Sequence, residues 1–421
     1  MSSLLIVLLS LLILISLIDA AADFLNLRSI RSHPEVPKSF EGYYDPEKYL
    51  KSQDYLRART RFDLIGNLYQ LILMIGFILL GGFNEVDLFA RRLSGSSSLS
   101  QVFTGLIFVG TLSLARGVSQ IPFSLYSTFV IEERFGFNRT SLKTFMLDHL
   151  KGIVLGVILG GLAFSGLILF FEKFGPSAWL PLWVGLSLFQ VLILFLAPVL
   201  IMPLFFKFSP LPAGPLKEAI EAYARKENFV LSGIFLSDAS TRSTKTNAFF
   251  TGFGKFRRLV LFDTLIKAHS TEELLAVVAH EVGHFKRNHI FKFTALSIFM
   301  NGIMIYLFSR FLDNSPLFEA FRMEHLSIHA SIVFISIFIS PAMKVISVFT
   351  QKLSRRFEFE ADTYSVQTYR HREALISALK RLSAENLSSL FPHPFKVLLE
   401  YSHPPVLQRI HALQIAPDGH D

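Results

Sequence analysis

The sequence predicts a mainly α, polytopic membrane protein of seven helices, with polar segments that carry a small β element. Three observations lead there. Apolar residues fill 51% of the 421 positions and charged residues only 18%, with 44 Phe, whereas a soluble chain needs about a quarter of its residues charged. Apolar stretches recur at 3–22, 64–83, 102–130, 152–171, 179–206, 290–311 and 328–350, and about 20 helical residues cross a hydrocarbon core of about 30 Å. Two long polar segments, 207–289 and 352–421, interrupt and follow them. The chain therefore divides into 1–206 with five spans, 207–289, 290–351 with two spans, and 352–421. The same composition excludes a disordered or collagenous chain. The lack of Cys excludes a disulfide scaffold, a thiol protease and thiolate metal sites. A net charge of +8 does not require nucleic acid, because basic loops beside spans produce the same excess. Membrane lipid is the expected partner, and nucleic acid is not.

Each span is then judged by its flanks. The first resembles a cleaved signal peptide in its short apolar run and its Ala20-Ala21-Ala22, but Met1-Ser2-Ser3 carries no basic residue. The loop after it, 24–63, holds Arg28, Arg31, Lys38, Lys48, Lys51, Arg57, Arg59 and Arg61. Cleavage would send this loop outside, against the positive-inside rule, so a retained span is favoured. Basic residues then alternate correctly. Few lie between spans two and three, four and five, or six and seven, while Arg134, Arg139, Lys143, Lys151 and both polar segments fall on the other side. The N-terminus is expected outside or in a lumen, and both polar segments in the cytoplasm. Asn138-Arg139-Thr140 and Asn386-Leu387-Ser388 match the glycosylation acceptor but would be cytoplasmic, and read as chance matches.

Asn67, Gln70, Arg116, Gln120, Asn301 and Lys344 fall at or near membrane depth. Such groups bond neighbouring helices or snorkel. Arg116 should face a partner or a wet cavity, which raises a water-containing interior. A transporter or channel would also place polar residues here, but no internal repeat or paired broken helices support one.

The sharpest motif is His280-Glu281-Val282-Gly283-His284, preceded by helix-forming residues with Ser270 or Thr271 as N-cap. Residues four apart share a helix face, so both imidazoles can bind one zinc, and Glu281 beside them can take a proton from an activated water. A catalytic zinc usually has a third protein ligand. The three-histidine extension fails, with Arg287 and Ile290 where it needs Gly and His. His289 is one residue out of register and is expected to be a solvated interface residue. Asp313, Glu319 and Glu324 fall across the membrane, so the first carboxylate on the proper side is Glu358. Glu358 is assigned as third ligand and Asp362, four residues on, as the group orienting a histidine. A solvated acidic face balancing Arg355 and Arg356 is the competing reading.

These residues resemble the type I CAAX prenyl proteases, integral-membrane zinc endopeptidases. The likeness runs in order through residues 121–138, Thr246-Asn247-Ala248-Phe249-Phe250, 258–265, 280–284, 354–362 and Tyr401-Ser402-His403-Pro404-Pro405, with Arg409 after it. It implies one zinc per chain held by His280, His284 and Glu358, and Glu281 as general base. It also implies that Asp362 supports the ligands and that His403 and Arg409 reach the reaction centre. Seven helices around an aqueous chamber are implied too, as are peptide or protein substrates, prenylated or not. Its named role is cleavage of the C-terminal tails of prenylated CAAX proteins; broader membrane-protein quality control uses the same chemistry. The membrane would be the endoplasmic reticulum in a eukaryote and the inner membrane in a bacterium. Leu259-Val260-Leu261-Phe262 reads as a short strand after Asn247, Ala248 and Phe249, where an edge could hold substrate by strand addition. An ordinary hairpin is the alternative.

Overall fold

The computed structural model describes residues 2–95, 99–252 and 257–415. Met1 and the last six residues of the expected C-terminal segment lie outside the described residues. Among these, six helices are long and apolar enough to cross a membrane: Ser3–Ser32, Pro46–Leu79, Ser100–Glu132, Leu142–Leu204, His289–Arg310 and Ile328–Tyr369. The fourth is 63 residues long and holds both the fourth and fifth expected spans. Within it, the Gly161–Phe174 helix stops where Gly175 adopts φ +57°, and Trp179–Leu196 packs back against it. Glycine tolerates that left-handed conformation without a Cβ clash, so seven crossings fit in six helical units.

Two helices overrun the membrane. Pro46–Leu79 starts well before residue 64, with Pro46 in its first turn and the Asp45 side chain accepting from Lys48 N. Ile328–Tyr369 has 42 residues, which at about 1.5 Å per residue is about 63 Å, twice a hydrocarbon core. The last span therefore leaves the bilayer still helical and carries Glu358 and Asp362 with it. The first helix is tied into the body. Leu5 and Leu8 are buried with Ile78, Phe83 and Phe318, and Asp23 pairs with Lys396 at 2.5 Å.

Near membrane depth, a cavity of about 720 Å³ gathers Asn67, Gln70, Gln120 and Lys344, with Lys344 paired to Asp19 at 2.9 Å. Arg116 is exposed and does not line this cavity, and Asn301 donates to Gln190 at 2.8 Å. The cavity-lining Asn67, Gln70, Gln120 and Lys344 come from Pro46–Leu79, Ser100–Glu132 and Ile328–Tyr369, so tertiary packing rather than hydropathy brings them together.

The β element is a four-stranded sheet of β1 (Phe208–Pro210), β2 (Gly233–Ser237), β3 (Ala248–Thr251) and β4 (Arg258–Phe262), in the order β1-β2-β4-β3. β2 and β4 run parallel, while β1 and β3 are antiparallel edges. The central strand β4 buries Leu259 and Leu261 against Ile220, Leu274, Val278 and Val282. Burying each such side chain stabilises by about 1.5–3 kcal/mol, which fixes the Thr271–Lys286 helix on the sheet.

Candidate metal centre and active site

The site is built on the packing of two helices. Thr271–Lys286 begins with a capping box in which Ser270 Oγ accepts from Glu273 N and Glu273 accepts from Ser270 N at 2.9 Å. Glu273 is also bonded to Ser377 and lies 3.1 Å from Arg381. Cap and ion pair hold the helix start against the Arg372–Glu385 helix. Its other end lies against Ile328–Tyr369. A Cβ at Gly283 would stand 3.1 Å from the Ala361 backbone, and Ser365 Oγ donates to Ala276 O at 2.9 Å. This approach brings His280 and His284 against Glu358.

His280 Nε2 and His284 Nε2 are 3.2 Å apart; Glu358 Oε2 lies 3.5 Å from the first and Oε1 3.3 Å from the second. These three residues are a group able to hold a metal ion. The other ring nitrogens are occupied. His280 Nδ1 is 2.8 Å from Asp362 Oδ1, and His284 Nδ1 is 3.0 Å from His289 Nδ1. Both Nε2 lone pairs therefore converge on one point, beside a buried Glu358 Oε2 that has no hydrogen bond. Such lone pairs repel unless a cation lies between them. A tetrahedral ion with bonds of about 2.0–2.1 Å needs ligand–ligand edges of about 3.4 Å. The donor set fits a zinc-class metal.

Arg409 closes the rear of the cluster. Its Nε and Nη2 reach the two Asp362 oxygens at 2.8 and 2.6 Å, and its Nη1 is 3.3 Å from Glu358 Oε2. Burial would lower the Arg409 pKa, but the Asp362 and Glu358 carboxylates outweigh it and raise it. Burial likewise disfavours a charged His280, yet its bonds to Asp362 and Glu358 carry the metal-free imidazole up to about 9. Burial holds Glu281 above the usual carboxylate range, against the pull of His280 and His284.

A cavity of about 700 Å³ opens on the cluster and is lined by His280, Glu281, Glu358, His403 and Arg409 together with Asn247 and Ala248. His403 Nε2 sits 3.3 Å from Glu358 Oε1 on a side chain 64% exposed. Its turn is held by Arg355, whose Nη1 donates to Val397 O and Tyr401 O at 2.9 and 2.6 Å. β3 is an edge strand, and Asn386 fixes its approach by bonding Thr246 N and O at 3.1 and 3.4 Å. Asn386 and Asn138, the latter accepting from Thr140 N at 2.8 Å, are thus engaged internally. Phe249 does not line the cavity; it packs edge-on against Phe262, because alternate strand residues face opposite sides.

His289 departs from its expected solvated position. It is 2% exposed, stacked on Phe357 at 4.0 Å, and bonded to His284 and, at 3.2 Å, to Glu360. Asn288 turns with φ +57° between the two helices and folds His289 back under the motif. An Asn-His pair directly after a metal-motif helix was the available signal. Tyr55, Arg59 and Lys245 also line the cavity, and nothing local in the sequence marks them.

Comparison with known proteins agrees with this geometry. Residues 26–207 match the family model described as CAAX prenyl protease N-terminal, five membrane helices, and residues 210–416 match peptidase family M48. The CAAX prenyl protease 1 homolog of Arabidopsis thaliana is 33% identical, the match covering 94% of each chain. CAAX prenyl protease 1 of Saccharomyces cerevisiae is 32% identical over 91% of this chain and 89% of that one. The crystal structure of S. mikatae Ste24p superposes with a TM-score of 0.90 at 30% identity, covering 98% of this chain and 99% of that one. The metal-binding geometry, the spanning helices and these matches together establish that the chain belongs to the CAAX prenyl protease 1 family, multi-pass membrane metalloendopeptidases of peptidase family M48.

Proposed function

We propose that the chain is a zinc endopeptidase acting on the C-terminal tails of prenylated CAAX proteins, with His280, His284 and Glu358 holding the metal. The observation that carries this is the convergence of two imidazole lone pairs and an unbonded carboxylate oxygen in one cavity beside Glu281. The names of the curated relatives support the substrate class. Zinc, when bound, would polarise the scissile carbonyl and acidify a water.

The residues divide the remaining work. Glu281, which lines the cavity beside His280 and Glu358, takes the proton of the attacking water and passes it to the leaving amine. His403, on the open side, donates to the carbonyl oxygen as negative charge develops there. Asp362 fixes His280 by accepting from Nδ1, and Arg409 holds Asp362 in place. The edge at Asn247 and Ala248 receives an extended substrate through backbone bonds. The Phe249 side chain packs the strand on Phe262, while its backbone continues the edge at Asn247 and Ala248.

Backbone recognition tolerates side chains, so unprenylated peptides are cleaved as well, at a different rate. Matched peptides with and without a C-terminal prenyl-cysteine, with Glu281→Ala as blank, test this. A strict lipid requirement would overturn the tolerance, and no cleavage of either peptide would overturn the endopeptidase. The basic-residue pattern supports cytoplasmic 207–289 and 352–421 with an outer or lumenal N-terminus, in the endoplasmic reticulum of a eukaryote or the inner membrane of a bacterium. As the chain has no Cys, Lys380→Cys can be labelled alone. Labelling only from the outer face would reverse the orientation.

A further inference from the structure

The cavity that holds the metal cluster also contains two cations that the hydrolytic step leaves unused, Arg59 and Lys245. They come from segments far apart in sequence and meet at one carboxylate. Arg59 Nη1 is 2.8 Å from Glu132 Oε1, and Lys245 Nζ is 2.9 Å from Glu132 Oε2. The Tyr55 hydroxyl donates to Glu132 at 2.7 Å and accepts from Lys245 at 2.8 Å and Arg59 at 3.2 Å. Glu132 is largely covered at 16% exposure and does not line the cavity, whereas Arg59 and Lys245 are 49% and 34% exposed. Asp63 reaches Arg59 only at 3.9 Å and lines the separate membrane-depth cavity. The wall therefore presents two sets of N–H donors against one recessed anion.

Lys245 is also fixed in position. Its ammonium lies 4.5 Å from the Phe137 ring centroid and 5.2 Å from that of Tyr55, an arrangement that favours a stationary cation. It precedes β3 by three residues, so substrate laid along Asn247 and Ala248 passes beside it. Extended chain advances about 3.3 Å per residue, so three residues reach about 10 Å. A compact cavity of about 700 Å³ is about 11 Å across. The end of a short tail bound at the metal cluster thus falls within reach of this wall.

We infer that Lys245, with Arg59 and the Tyr55 hydroxyl, forms a subsite for the free C-terminal carboxylate of the substrate. The inference rests on the endopeptidase reading and makes recognition of a chain end, rather than of side chains, the source of position selectivity. The carboxylate accepts from the lysine and guanidinium N–H groups that Glu132 leaves unfilled. Glu132 keeps the two cations apart and in place.

The test compares kcat/KM for two prenylated peptides that differ only in ending as a carboxylate or a carboxamide. Charge-assisted hydrogen bonds are worth about 1.5–3 kcal/mol, or about 10–150-fold, so the acid is expected to be favoured by that factor. The ratio should fall toward one in Lys245→Met and be retained in Lys245→Arg. A structural role alone would lower cleavage of both peptides equally and leave the ratio intact. Equal cleavage by the parent, or a parental ratio in Lys245→Met, would overturn the subsite. If Lys245→Met does not fold, the parent's own ratio decides. Absence of chelator-sensitive cleavage of either peptide would instead overturn the endopeptidase reading beneath it.

Discussion

Asp362→Asn changes one atom and removes the charge that organises the cluster. Asp362 Oδ1 receives His280 Nδ1 at 2.8 Å and Arg409 Nη2 at 2.6 Å, while Oδ2 receives Arg409 Nε at 2.8 Å. An amide group at Oδ1 would face two donors and at Oδ2 only one, so the asparagine turns its NH2 toward Arg409 Nε. His280 Nδ1 and Arg409 Nη2 keep an acceptor, but a neutral one, and the buried guanidinium is left with Glu358, at 3.3 Å, as its carboxylate. Breaking a buried ion pair from one side costs about 3–5 kcal/mol. The retained oxygen puts the expected loss of stability at about 3 kcal/mol. Glu358 is drawn toward Arg409, and loss of an outer carboxylate weakens metal affinity by about 10–100-fold. The assay pairs thermal unfolding of the metal-free protein in detergent with zinc competition against a chromophoric chelator. Parental values in both would refute the cluster's dependence on this carboxylate.

Further perturbations should have separable effects. Because the metal-free His280 pKa is raised to about 9, zinc must displace a proton below that pH, and apparent affinity should drop about tenfold per unit from pH 8 to 6. A flat profile would contradict it. The same raised value means that protonated His280 stabilises the metal-free fold below about 6.5 and that this contribution is lost as pH rises through about 9, which denaturant titration across the range would show. His289→Phe keeps the stack on Phe357 but removes the acceptor for His284 Nδ1, so zinc should leave about tenfold faster, with His289→Asn closer to parent; equal off-rates would refute this. Gly283→Ala forces its Cβ onto the Ala361 backbone and should destabilise by about 1–3 kcal/mol, read as a lower Tm. An unchanged Tm would mean the two helices can part freely.

Much of the site was legible because it is local. The four-residue spacing of His280 and His284, and of Glu358 and Asp362, is a helix property, and the Ser270 cap marks where the first helix begins. Glu358 as the candidate third ligand followed from counting which side of the membrane each carboxylate is expected to occupy. His289 was misread because its place depends on the left-handed turn at Asn288, not on helical register. Arg59 and Lys245 were invisible because Glu132 joins them only after folding. The expected spans were located, but not their helical ends. Ile328–Tyr369 runs through Pro341 and continues past the bilayer because residues 342–369 hold no Gly or Pro, and Leu142–Leu204 joins two spans.

The most direct measurement is metal content and peptide cleavage on the same purified samples of parent, Glu281→Ala and His284→Ala. One zinc per chain is expected in the parent and in Glu281→Ala, with cleavage only in the parent, and neither zinc nor cleavage in His284→Ala. A metal-free parent that cleaves at full rate, or a His284→Ala protein that keeps both zinc and activity, would contradict the metal centre.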